Sequence, residues 1–240
     1  MPPHELAELT AARLALLAGG EIEVEGRMPW SSNATFLVTV TNGDDCCQAI
    51  YKPLRGERPL WDFPSGLYRR EVAAFALSEA MGLHNVPPTI VRDGPFGEGS
   101  LQFFVEADFE QHYFTMFEQK PELHDQLRAI AVFDLVANNT DRKAGHCLLD
   151  KQGKVWGIDH GLCFSVDPKL RTVIWEFGGG EIPSALIEAV RPIAERVPLQ
   201  VAALLADDEV EALQQRAQRI VTRKVFPVEG SSRSYPWPLV

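Results

Sequence analysis

Between Ile22 and Val105 apolar and polar positions mostly alternate, interrupted by one long helical run; beyond Leu123 apolar residues recur every three or four positions. The chain opens on a predicted helix, Glu5 to Ala18, with Leu6, Leu9, Leu14, Leu16 and Leu17 near a 3.6-residue period and Gly19-Gly20 closing it. Strands are predicted at Ile22–Glu25, Ala34–Val40 and Gln48–Lys52. Asn42-Gly43-Asp44 is a hairpin turn between the second and third, and Pro53 ends the third because it has no amide to donate. Leu67 to Met81 is the helical run, with Val72, Phe75, Ala76, Leu77, Ala80 and Met81 on one broad face. Strands at Val86–Val91 and Gly99–Val105 follow, joined by the turn Asp93–Gly97. The pattern predicts a small antiparallel lobe of five strands and one long helix.

The second half is predicted to be mainly helical: Leu123 to Asn138, then Ile182 to Val190, Arg191 to Val197 and Val210 to Phe226. Residues 107–120 follow no clear period. Gly230 to Val240 is rich in Pro and Ser and is either a loose tail or a segment laid over the body by Trp237. The exception to helix is Asn138 to Phe164. There Cys147-Leu148-Leu149 and Val155 to Ile158 form a predicted β-hairpin around the turn Asp150–Lys154. A ribbon of that length folds back on itself, so His146 and Asp159 should lie side by side at its open end, with Asp141 close by.

A hydrophobic share of 45% over 240 residues is enough for a sizeable core. The net charge of -10 excludes a non-specific nucleic-acid binder, whose phosphate contacts need clustered Lys and Arg, although Lys52, Arg55, Arg58, Arg69 and Arg70 could make a local basic patch. Four cysteines without metal spacing are expected to pack rather than bridge or ligate. With no signal-like start and no apolar window of membrane length, a soluble cytoplasmic protein is expected. Histidine and carboxylate spacing suits no metal-dependent hydrolase.

Asp141 followed by His146 and then by Asp159-His160-Gly161 resembles the motif pair by which kinase-fold phosphotransferases hold a catalytic aspartate and metal ligands. The likeness is greatest to the phosphatidylinositol 3/4-kinase-like and HipA-like branch, and within it to a small actinobacterial subfamily; it covers roughly Gly20 to Phe226. In that branch the opening is Asp-Arg-His; here it is Asp141-Arg142-Lys143, and His146 stands where an asparagine is usual. The resemblance implies an α+β, two-lobed kinase-like fold, with residues 1–104 as the N-terminal lobe and 105–240 as a mainly helical C-terminal lobe.

It also implies an ATP- and Mg²⁺- or Mn²⁺-dependent kinase. Asp141 would be the base and Asp159 a metal ligand, since a carboxylate is a hard donor. His146 is either a second ligand, which would tilt the site toward Mn²⁺, or a hydrogen-bond partner of the Asp159 loop. Lys143 would touch the γ-phosphate, hold down the Asp141 pKa, or point to solvent. Lys52 would hold the ATP phosphates, with Glu71 reaching back to orient it or else pairing with Arg69 or Arg70 on the surface. Phe104, Val105 and Glu106 would meet the adenine at a hinge. The loop before the second strand lacks the glycine-rich signature; Ser31, Ser32 and Asn33 either offer groups to phosphate or make an ordinary polar connection. Residues 161–180, with Lys169, Arg171 and Trp175, would face the acceptor. A protein Ser/Thr or a small metabolite suits the acidic chain better than a lipid does. An inactive nucleotide-binding relative and an adenylyl transferase are the alternatives.

Overall fold

A computed structural model describes residues 3–29, 31, 33–230 and 234–240. Contacts divide the chain into two compact units, Met1–Val72 with Pro87–Val105, and Ala73–Val86 with Glu106–Val240.

The first unit holds helix α1 (Pro3–Gly19) and strands β1 (Glu21–Arg27), β2 (Phe36–Asn42), β3 (Asp45–Pro53), β4 (Thr89–Gly94) and β5 (Gly97–Phe103) in one antiparallel sheet of order β1-β2-β3-β5-β4. Asn42 pairs with Asp45, so Gly43 and Asp44 alone make the turn, and Gly43 takes the positive φ that such a tight connection requires. Val38, Val40, Ala49, Tyr51 and Leu101 bury one face of the sheet together with Leu17 of α1. Alternation along β2 and β3 puts these side chains on a common face, as the period of two demands. β4 starts at Thr89 rather than Val86, because Pro87 and Pro88 cannot donate to a ladder. Helix α2 (Leu67–Ala80) belongs to the first unit through Val72 and to the second beyond it.

The second unit contains α3 (Tyr113–Gln119), α4 (His124–Ala137), the hairpin β6 (Cys147–Leu149) and β7 (Val155–Gly157), and helices α5 (Ser184–Glu195), α6 (Leu199–Ala202) and α7 (Asp207–Arg223). The stretch without a clear period thus contains a short helix. Its aromatic residues Tyr113, Phe114 and Phe117 make ring contacts rather than a helical stripe. The two helices predicted over 182–197 are one, α5, which carries Pro192 inside it. The predicted start of α7 is three residues late, because its first turn is Asp207, Asp208 and Glu209: acidic residues favoured at a helix N-terminus, with Glu209 accepting from the Ala206 amide at 3.0 Å.

The final segment is laid on the second unit, but not by Trp237, whose surface is 87% exposed. Backbone does this instead: the Thr172 amide donates to the Ser234 carbonyl at 3.0 Å and the Ala144 amide to the Leu239 carbonyl at 2.7 Å. None of the four cysteines is in a disulfide, and burial pushes the Cys147 thiol up to about 12. No helix among the described residues is long and apolar enough to cross a membrane.

Candidate active site

In the first unit, Lys52 lies one residue from the end of β3, paired across the sheet with Ser100. Its Nζ sits 2.5 Å from Oε1 of Glu71, which is buried in the first turns of α2. The Glu71 carboxylate, held out of water, meets the Lys52 ammonium, while the exposed Arg69 lies 3.7 Å from Glu98. The loop before β2 is engaged with its neighbours. Asn33 Oδ1 accepts from the Arg58 amide at 2.9 Å, Ala34 donates to the Gly56 carbonyl at 2.9 Å, and Ser31 and Thr35 share a hydroxyl hydrogen bond of 2.7 Å. Ser32 lies outside the described residues. Of the hinge trio, Phe104 donates its amide to the Gln48 carbonyl at 3.0 Å, Val105 is buried, and Glu106, on the second unit, spends its carboxylate on Lys151 at 2.7 Å.

In the second unit, α4 ends at Asn138, which adopts the left-handed conformation that asparagine tolerates well (φ 52°). Its amide nitrogen donates to the carbonyls of Ser165 and Asp167 at 2.9 and 2.7 Å, and its oxygen accepts from the Lys169 amide at 3.1 Å. Asn139 follows the same logic: it donates to Asp134 at 2.9 Å and accepts the Asp141 amide at 3.0 Å. Thr140 donates its hydroxyl and its amide to the Leu162 carbonyl. The segment carrying Asp141 and the segment after Asp159 are therefore tied together by the side chains of Asn138 and Thr140.

The hairpin brings His146 and Asp159 together, with Nε2 of the ring 3.4 Å from Oδ2 of the carboxylate. The Asp141 carbonyl lies 2.9 Å from His146 Nδ1, and since a carbonyl only accepts, Nδ1 carries the ring proton. The Lys143 amide at 3.4 Å from the same nitrogen would need a lone pair there; the shorter contact decides. Nε2 faces the Asp159 carboxylate, so a protonated ring would pair with it as a cation and a neutral ring would present a lone pair there. Asp159 itself has φ 60°, an uncommon value for a residue other than glycine and one that often accompanies functional sites. No group of three or more His, Cys, Asp or Glu among the described residues could hold a metal. A metal at the pair would have to draw its other ligands from phosphate and water, as Mg²⁺ commonly does.

Asp141 lies 3.2 Å from Lys143 Nζ. Burial, with the Asp159 charge adding to it, raises its pKa above the ordinary aspartate value, against the lowering influence of Lys143. Lys143 therefore moderates the shift without reversing it. If Asp141 is the base, activity falls as pH drops through this raised pKa, and Lys143→Met should move the acid limb of the kcat/KM profile to higher pH, because the lowering influence is gone. A pH–rate profile of the two proteins checks this; an unmoved limb contradicts it.

Arg142 adds its charge beside Asp141 from within the core, as a minor influence that lowers the Asp141 pKa. It is fully buried, with Nε and Nη2 on the two carboxylate oxygens of Asp134 at 2.8 and 2.9 Å. His160 is also fully buried, its ring edge-on to Phe133, and its Nε2 accepts from Arg142 Nη2 at 2.8 Å. Of these residues, Asp134 was missed as a site-building residue. One available signal was a carboxylate on the face of α4 occupied by Ile130, Ala131, Phe133 and Ala137, since a charge there requires a buried partner.

The five-stranded antiparallel sheet with its helices, followed by a helical part built around an Asp–hairpin–Asp segment, is a kinase-like fold. Residues 67–203 match the model of the phosphatidylinositol 3- and 4-kinase family, and the chain belongs to that family. Protein Rv2133c of Mycobacterium tuberculosis is 39% identical over 261 aligned positions, covering 93% of this chain and 94% of that protein. Among solved structures, the Golgi casein kinase with Mn/ADP bound superposes with a TM-score of 0.57 at 14% identity, over 98% of this chain and 81% of that one. The Helicobacter pylori proinflammatory kinase CtkA gives 0.54 at 12%, over 87% and 94%. At these identities the likeness is one of fold.

Proposed function

We propose that the protein is an ATP- and divalent-metal-dependent phosphotransferase whose acceptor is a hydroxyl group, of a protein Ser/Thr or a small metabolite. The observation that carries this reading is the His146–Asp159 pair: ring Nε2 and carboxylate Oδ2 stand 3.4 Å apart, with ring Nδ1 turned to the Asp141 carbonyl. The Golgi casein kinase, alike in fold, has Mn/ADP bound, which supports a metal and a nucleotide as what this site takes. His146 in a position where asparagine is usual favours Mn²⁺ over Mg²⁺, because imidazole suits transition ions.

When bound, the metal would offset charge on the ATP phosphates. The chain's own groups do the rest. Asp141 accepts the proton of the acceptor hydroxyl as its oxygen bonds to the γ-phosphorus and the bond to the ADP oxygen breaks. Its raised pKa brings it nearer the value useful to a base at neutral pH. Lys52, oriented by Glu71, places a point charge on the phosphates. Lys52→Met should therefore lower kcat/KM for ATP by about 10²-fold, in line with loss of one preorganised electrostatic contact. Steady-state ATP consumption checks this, and unchanged kinetics would remove Lys52 from the mechanism.

A second reading is a nucleotide-binding protein that transfers nothing. It is favoured by the loop before β2, which lacks the glycine-rich signature and whose Asn33 side chain is spent on Arg58. Thermal shifts with ATP and Mn²⁺, paired with an ATP-consumption assay, separate the two: stabilisation without consumption selects the second. Intact mass after incubation with ATP distinguishes added phosphate from added adenylate.

A further inference from the structure

We propose that Asp134 and Arg142 are positioning residues that set the gap between His146 and Asp159, a role that rests on the metal–nucleotide reading above. The guanidinium of Arg142 has five N–H groups in a fixed plane, and the structure gives every one of them an acceptor. Two go to Asp134 at 2.8 and 2.9 Å. Nη1 donates to the carbonyls of His146 at 3.1 Å and Ile158 at 2.9 Å, and Nη2 completes its pair on His160 Nε2 at 2.8 Å. The three outer contacts are thus the carbonyl of one candidate ligand and both sequence neighbours of the other.

Asp159 is bracketed: the residue before it and the residue after it are held by one rigid fork. That fork is anchored in turn to α4 through Asp134, whose Oδ1 also accepts from Asn139, the residue that receives the Asp141 amide. The helix, the base and the two ligands therefore share a single buried centre. Because guanidinium only donates, His160 must accept at Nε2, which fixes that ring as the tautomer protonated at Nδ1. A lysine at 142 would keep a positive charge but could not span these acceptors. An apolar pair could fill the same volume without fixing the carbonyls at all.

The test uses Arg142→Lys and the double variant Asp134→Leu/Arg142→Met, with three readouts: thermal melting, Mn²⁺ affinity with ATP by electron paramagnetic resonance, and the tautomer of His146 from ring nitrogen NMR shifts. Positioning predicts Mn²⁺–ATP binding weakened about 10- to 100-fold in either variant, the range for partners that orient metal ligands, even in a double variant whose melt matches the parent. Folded variants with parental affinity overturn the proposal and leave the pair a stability device. Should the double variant not fold, Arg142→Lys decides alone. Failure of the unaltered protein to bind Mn²⁺–ATP would sink the functional reading instead, and the NMR arm then decides: loss of the Nδ1–H form of His146 in Arg142→Lys supports positioning, and its retention overturns it.

Discussion

Asp159→Asn is expected to lose metal-dependent ATP turnover by at least about 10²- to 10³-fold, as when a preorganised charge is removed from a transition state. Asparagine is the informative replacement. It tolerates the left-handed backbone at φ 60°, where alanine would add strain, and it keeps the shape while discarding the charge. The side chain is about half exposed, so the melting temperature should hardly move. A folded Asp159→Asn protein with full turnover would take the metal away from this residue. A matched loss of turnover and of folded protein would make Asp159 a fold residue only.

The largest stability effect should follow from Arg142→Ala. The substitution leaves Asp134, itself 1% exposed, as a buried carboxylate with Asn139 as a remaining donor and without its cation. Breaking a buried pair from one side typically destabilises by about 3–5 kcal/mol. For a chain of this size that corresponds to a fall in melting temperature of roughly 6–20 °C. The carbonyls of His146 and Ile158 and the ring nitrogen of His160 lose the same partner, which places the effect toward the upper end. Differential scanning calorimetry reads it directly; a fall of less than about 2 °C would show that water replaces the guanidinium.

Much of the fold was legible because local rules and global packing agree. Strands β2 and β3 alternate cleanly around a Gly43 turn, and the β6–β7 hairpin follows from two short apolar arms around Gly153. Lys52 and Glu71 could be proposed as a pair, beside Arg69 or Arg70 as partners of Glu71, because one ends a strand and the other starts a helix, and their contact is short. Where the reading failed, a tertiary contact outweighed the local signal. Residues 182–197 read as two helices, a break that α5 does not make. Trp237 looked like an anchor, while two carbonyls hold the segment.

The centre of the candidate site was the least legible. Arg142 sits between two residues of evident chemistry, and a charge next to charges passes for solvated surface. Nothing in its neighbours announces that the chain turns this one side chain inward to meet Asp134, eight positions earlier on α4. The balance at Asp141 was hidden for a related reason. The lysine two residues on was visible in the sequence, but the burial that outweighs it depends on the packing of the whole loop.

The most direct test of the account is calorimetric titration of ATP into the unaltered protein with Mn²⁺, with Mg²⁺ and with EDTA. If His146 and Asp159 hold a metal on the nucleotide, ATP binds with either ion, more tightly with Mn²⁺, and at least tenfold more weakly in EDTA. Equal affinity in all three conditions, or no binding in any, would contradict it.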